Sequence, residues 1–257
     1  MSGPSRREFI QQSFNAVCSY FLFESLFARD LFAQAVQPIM KHWAHQLDDL
    51  CRDLRSNSLT LVQWQEQVET LLNRIELKEM LQFIDFEKLT RQFDFPDLGT
   101  ATKPVNFPKL HDLPSEYAFH KKIFGLQKGR AIIPHGHKNM VSAHLILKGE
   151  FELRHYDKIS EEGDHLIIKP TIDKIARVGS ASSISDEKNN IHWFKTRSET
   201  AFTFDVIMTN IDPRHGKSYE IDNIDPHAAE NLSGNLLRVR KLGVEEALKK
   251  YGKEMHH

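Results

Sequence analysis

The sequence predicts a mainly β protein, a closed all-β barrel or sandwich carried behind an α-helical N-terminal extension. Three observations predict it. Hydrophobic periodicity switches once along the chain, from helical spacing before residue 95 to short alternating runs after residue 118. No glycine interrupts residues 36–95, whereas Gly, Pro, Asp or Asn separates the later runs. Between the two regimes, "DFPDLGTATKPVNFPKLHDLPSE" (94–116) holds four prolines and one glycine and reads as an extended connector.

Taken in order, residues 1–35 carry Arg6–Arg7 followed by Phe9–Ile10, the apolar run "FNAVCSYFLF", and the small-x-small pattern Ala33–Gln34–Ala35. This resembles a twin-arginine export signal, which would put the protein in the periplasm. Glu24, Arg29 and Asp30 interrupt the apolar region, and the other reading is an amphipathic N-terminal helix of a cytoplasmic protein. Residues 36–95 form the helical region. Ile39, Trp43, Leu47, Leu50 and Leu54 share one helical face, and "SLTLVQWQEQVETLLNRI" follows with Ser58 or Thr60 as its N-cap. A third helix is expected over "ELKEMLQFIDFEKLTRQF".

The connector is assigned to 96–117 and the barrel to 118–230. Eight runs in the barrel region read as strands: "YAFHKKIFGLQ", "RAIIPHGH", "SAHLILKG", "EFELRHYD", "DHLIIKP", "IARVGSASSISD", "NIHWFKTR" and "AFTFDVIMTN". Residues 231–257 read as a C-terminal tail with a short helix.

Composition excludes several classes. Forty per cent of the 257 residues are hydrophobic, 27% are charged, and the formal net charge is −1. Such a chain can bury a core but has no basic field for nucleic acid or an anionic membrane. No run reaches the roughly 18 apolar residues of a membrane-spanning helix. Cys18 and Cys51 are the only cysteines, too few for a disulfide framework or a thiolate metal site. Any ion would take imidazole or oxygen donors, and 14 histidines are available.

The chemistry concentrates in "IPHGHKNM". His135 and His137 are two apart, so on a strand both face the same way and can grip one ion without completing its shell. A third donor must come from elsewhere, and His144, His155 and His192 are the candidates.

These motifs resemble the cupin family. Gly129, the "HGH" of 135–137 and Gly149 follow its first motif, and His192 falls where its second motif supplies one more histidine. The usual glutamate ligand, seven residues before the closing glycine, is replaced by Ser142. The closer resemblance is to the thiol dioxygenase branch of cysteamine dioxygenases and plant cysteine oxidases. It is carried by "HGHKNM", Gly149, "HYD" (155–157), "NNIHWF" (189–194, with Asn189 in a glycine's place) and "FDV" (204–206). It spans about residues 118–222 and is faint in "IDPRHGKSYEID".

That resemblance implies a cupin double-stranded β-helix in which His135, His137 and His192 hold Fe(II). Mn, Ni and Zn remain as other divalent ions. It implies Asp205 near the metal, orienting a substrate amine or a ligand histidine, and Tyr219 as a second catalytic residue. The implied reaction oxidises a small thiol, or the N-terminal cysteine of a peptide, to a sulfinic acid with O2. Two other readings stand beside it: a metal-binding cupin that acts as a sensor or binding module without turnover, and another cupin enzyme in which His144 completes the shell.

Overall fold

The computed structural model describes residues 38–215 and 219–253. Two compact units divide the chain, residues 1–42 and 43–257. Of the first, only 38–42 are described, and they are helical; the twin-arginine-like stretch lies outside the described residues. The second unit holds everything that follows. None of the described helices is long and apolar enough to cross a membrane.

Helix α1 covers residues 38–55 among the described residues. Helix α2 (Leu61–Asn73) begins at Thr60, the second of the two candidate caps. The reason is reciprocal bonding: Gln63 N donates to Thr60 Oγ1 at 3.2 Å, and Thr60 N donates to Gln63 Oε1 at 2.9 Å. Its buried Trp64, Val68 and Leu72 recur every four residues on one face. The third helical segment is split into α3 (Leu77–Phe83) and α4 (Phe86–Thr90), because Asp85 takes a left-handed φ of 51° between them.

Twelve strands follow among the described residues: β1 (Ala101–Pro104), β2 (His120–Gln127), β3 (Ala131–Lys138), β4 (Met140–Lys148), β5 (Phe151–Glu162), β6 (His165–Ala176), β7 (Ala181–Ile184), β8 (Ile191–Thr196), β9 (Thr200–Thr209), β10 (Glu220–Ile224), β11 (Glu230–Leu232) and β12 (Leu236–Leu242). They form two antiparallel sheets, ordered β1-β2-β9-β4-β7 and β10-β3-β8-β5-β6-β12-β11. The eight strands β2–β9 correspond to the eight runs read from the sequence. Their orders, 2-9-4-7 in one sheet and 3-8-5-6 in the other, are those of a jelly roll. The protein is therefore mainly β, with a cupin-type double-stranded β-helix behind N-terminal helices.

Additions lie at the edges. The connector contributes β1, which pairs with β2. The 231–257 segment contributes β12 ahead of its helix α5 (Val244–Tyr251), and β12 pairs with β6 and β10. Basic residues dilute the apolar alternation of "LLRVRKL", yet Leu237 and Val239 join the Tyr156, Leu166, Ile168 and Ile224 cluster.

Between the sheets, Leu126, Ile132, Ile146, Phe151, Leu153 and Phe194 close one end of the barrel with an apolar plug. The helices are tied to the first sheet: Trp43 lies 6.2 Å from Phe204 between ring centroids, and Ser185 Oγ donates to Gln65 Oε1 at 2.7 Å. Helix α5 packs Ala247 and Tyr251 against Trp193, on the outer face of the second sheet.

Candidate metal centre

Strand pairing assembles the site. β8 lies between β3 and β5, and His192 is directly opposite His135 on one side and His155 on the other. His137, two residues beyond His135, shares its face. The β3–β8 register shifts between Ile132 and His135, the local irregularity by which a bulge re-aims side chains.

Gly136 separates the two ligand candidates for a packing reason. A Cβ there would lie 2.8 Å from both Asn190 Oδ1 and Ile191 Cγ1. Asn190 Nδ2 donates to the His137 carbonyl at 2.6 Å, so this close approach is what anchors the β3 backbone. Asn189 adopts φ 54°, a left-handed conformation that explains why glycine can also serve there. Its N–H donates to Asp157 Oδ1 at 2.6 Å, so the aspartate of "HYD" braces the turn leading to His192.

Three imidazoles converge. His192 Nε2 lies 3.1 Å from His135 Nε2 and 3.5 Å from His137 Nε2, and one ligand atom from each falls within 4.8 Å of the others. Two nitrogens each about 2.1 Å from one ion stand roughly 3.0 to 3.4 Å apart at bond angles of about 90 to 110°. The two spacings from His192, 3.1 and 3.5 Å, lie at or close to this range. His135 Nδ1 donates to the Ile133 carbonyl at 2.7 Å, which leaves the Nε2 lone pair for a ligand bond.

Electrostatics prepare the trio in the same direction. Burial pushes His135 down to about 4, opposed in part by its bond to Ile133 and reinforced by His144. Burial and the neighbouring imidazoles hold His137 and His192 well below the usual histidine value. Neutral imidazoles are the ligand form, so no proton has to leave for an ion to bind near pH 7. The residues fit a divalent metal.

The opposite wall carries a second polar group, of which the motifs marked Asp205 but not its connections. His144 Nδ1 donates to Asp205 Oδ2 at 2.7 Å, Thr203 Oγ1 donates to Asp205 Oδ1 at 2.5 Å, and His144 Nε2 lies 3.1 Å from Ser142 Oγ. All four side chains are buried. Asp205, expected near the metal to orient a substrate amine or a ligand histidine, has His144 and Thr203 as its hydrogen-bond partners. The sequence leaves His144 as either a fourth ligand or a histidine bonded to a backbone carbonyl. Instead both its nitrogens are engaged by side chains, and it stands outside the convergent trio. The available signal was strand parity, since Ser142 and His144 share one face of β4, and Thr203 and Asp205 share one face of β9.

His155 is fully buried, and neither of its ring nitrogens has a partner among the described residues. Burial pushes it down to about 3. His144, His155 and His192 all pack on Phe194, with ring centroids 5.2, 6.3 and 5.6 Å away. Tyr219 lies two residues before Ile221, the β10 partner of His137. It sits one residue before β10, half exposed, and takes no part in the hydrogen bonds or ring contacts of the trio. A cavity of about 570 Å³ adjoins the turn after His137, lined by Asn139, Met140, Asp186, Ile211 and Arg214 among others; none of the histidines lines it.

Fold and site together define a jelly-roll barrel with a three-imidazole candidate metal centre. No family model and no curated protein matches the chain. Among solved structures it is similar to procruciferin, an 11S globulin from Brassica napus (12% identity over 41% of this chain and 23% of that one, TM-score 0.30). It is similar also to TT1209 from Thermus thermophilus (18% identity, 47% of this chain and 93% of that one, TM-score 0.33) and to the vicilin of Solanum melongena (11%, 52% and 34%, TM-score 0.35). The chain thus spans about a quarter to a third of the length of procruciferin and of the vicilin. The overlays are partial, and the fold assignment rests on the strand order.

Proposed function

We propose that the protein is an Fe(II)-dependent, thiol dioxygenase-like cupin that oxidises a thiol to a sulfinic acid with O2. The observation that carries this reading is the donor set: three neutral imidazoles converge from one wall, and no carboxylate among the described residues joins them. Imidazole suits iron, as it does zinc, nickel and copper. An uncharged donor set leaves the ion its full double charge for an anionic thiolate. Bound there, Fe(II) would supply the redox centre at which thiol and oxygen meet, and RSH + O2 balances to RSO2H.

The chain's own residues do the positioning. His135 is oriented by the Ile133 carbonyl, and the backbone of His137 is held by Asn190. The plug of Ile132, Leu153 and Phe194 keeps water from the closed end of the barrel. Asp205 acts through His144 in this reading, and Tyr219, two residues before the β10 partner of His137, is the second catalytic residue. The substrate class is a small thiol or a peptide with an N-terminal cysteine. Oxygen uptake by iron-loaded protein with a panel of such thiols tests the reading. Thiol-dependent uptake with sulfinate formed one-to-one is expected, and its absence across the panel rejects the reading.

A second reading, a metal-binding module without turnover, is favoured by the tight packing. His137 and His192 are only 7% and 3% exposed, and the neighbouring cavity does not reach them. This reading predicts ion binding with no thiol-dependent uptake.

A further inference from the structure

Strand β10 runs beside β3, and its register sets two side chains next to the imidazole trio. In this antiparallel pair Asn223 is directly opposite His135, Asp222 opposite Gly136 and Ile221 opposite His137. Residues directly opposite one another point to the same face, with Cβ atoms about 4.5 to 5.5 Å apart. The alternate positions agree. Gly136 pairs with Ile191 on its other side, and Ile224, next to Asn223, packs in one cluster with Ile191 and Val239. Asp222 and Ile224 therefore take the face away from the imidazoles, and Ile221 and Asn223 share the face of His135 and His137.

Asn223 is only 9% exposed, yet among the described residues no group hydrogen-bonds its side-chain amide. An amide has two N–H donors and a carbonyl acceptor, and leaving all of them unused at such burial is costly. The asparagines that precede His192 are spent on the protein: Asn190 Nδ2 donates to the His137 carbonyl at 2.6 Å, and Asn189 Oδ1 accepts from Thr171 at 2.8 Å. Asn223 is the amide beside the trio that the protein does not use. The same side of the trio is its more open one. His135, the ladder partner of Asn223, is partly exposed where His137 and His192 are buried, and Ile221 is half exposed.

We propose that Asn223 is the hydrogen-bond donor to an anionic exogenous ligand of the metal centre, which arrives along β10 past Ile221. The ligand class is a small anion or thiolate with a short apolar body. The amide N–H groups meet its charge, and the Ile221 side chain meets the rest. The inference rests on the metal-centre reading above but not on the reaction proposed for it.

Azide titration of Co(II)-loaded protein, followed by the visible spectrum, tests it in wild type, Asn223→Ala and Asn223→Asp. Asn223→Ala breaks no hydrogen bond within the protein, so Co(II) affinity is expected to stay within about tenfold of wild type. Azide affinity is expected to fall about fivefold or more, because a hydrogen bond to a charged ligand is lost. Asn223→Asp puts a negative charge where the donor stood, and azide should bind still more weakly than to the alanine variant. A loss of azide affinity below fivefold in Asn223→Ala, or an aspartate variant that binds azide no more weakly than the alanine one, overturns the inference. A loss of Co(II) affinity beyond tenfold in Asn223→Ala also overturns it, because the amide then serves the ion and not its ligand. Failure of wild type to bind Co(II) overturns it together with the metal centre; wild type that binds Co(II) but no azide overturns it alone.

Discussion

His155→Leu should stabilise the metal-free protein, and stabilise it more as the pH falls. His155 is 0% exposed with both ring nitrogens unpartnered among the described residues, and an unsatisfied buried polar group costs about 1 to 3 kcal/mol. Leucine has a similar volume, and Leu153 and Phe194 already line that part of the interior, so little cavity or strain opposes the gain. A gain of about 1 to 3 kcal/mol is expected at pH 7.

The pH dependence is sharper. Burial lowers the folded-state value to about 3. The unfolded chain, with an ordinary histidine near 6.5, therefore binds the proton first. The stability associated with neutral His155 is complete above pH 6.5 and is lost as the pH falls toward 3. Between pH 7 and pH 5 wild type loses about 2 kcal/mol through this residue alone, and the leucine variant does not. Urea unfolding of both proteins at the two pH values measures the difference, with all other titrating groups shared. A leucine variant less stable than wild type at pH 7, or a gap that stays constant down to pH 5, refutes the reasoning and means that the His155 nitrogens are satisfied in solution.

His135 should make a parallel contribution in metal-free protein. Its folded value is lowered to about 4, so about 3 kcal/mol of stability present above pH 6.5 is lost as the pH falls through that window, which His135→Gln should abolish in urea midpoints. Gly136→Ala should weaken divalent-ion binding at least about tenfold, because the added Cβ must displace Asn190 or Ile191 and a small misplacement of two ligands is costly; competition with a chromophoric chelator reads this. Asp225→Ala should cost about 1 to 3 kcal/mol in urea unfolding. It removes the acceptor for Tyr251 Oη and Lys250 Nζ, the bonds that fasten α5 behind Trp193.

The barrel was legible because alternation and turn residues mark β2–β9 one by one. The trio was legible because an HxH pair on a strand can only face one way, and "NIHWF" supplies a third imidazole at a distance a barrel can close. Of the facing wall, Asp205 and His144 were marked singly but their link was not, since a serine two before a histidine and a threonine two before an aspartate look like ordinary strand residues until the β4–β9 register sets His144 against Asp205. The role of Asp157 was hidden although "HYD" marks the residue: its partner is a backbone N–H, at Asn189. Helix division at Asp85 depended on one residue entering the left-handed region, which propensity alone does not mark. Strand β12 was obscured by the arginines and lysine interspersed among its apolar residues.

Calorimetric titration of Fe(II) or Co(II), without oxygen, into metal-stripped wild type and His192→Ala tests the central claim most directly. The account predicts one ion per chain in wild type and a loss of affinity of at least about a hundredfold in the variant, since a two-imidazole grip from "HGH" leaves the shell incomplete. Wild type that takes up no ion, or a His192→Ala protein that binds as tightly as wild type, contradicts it.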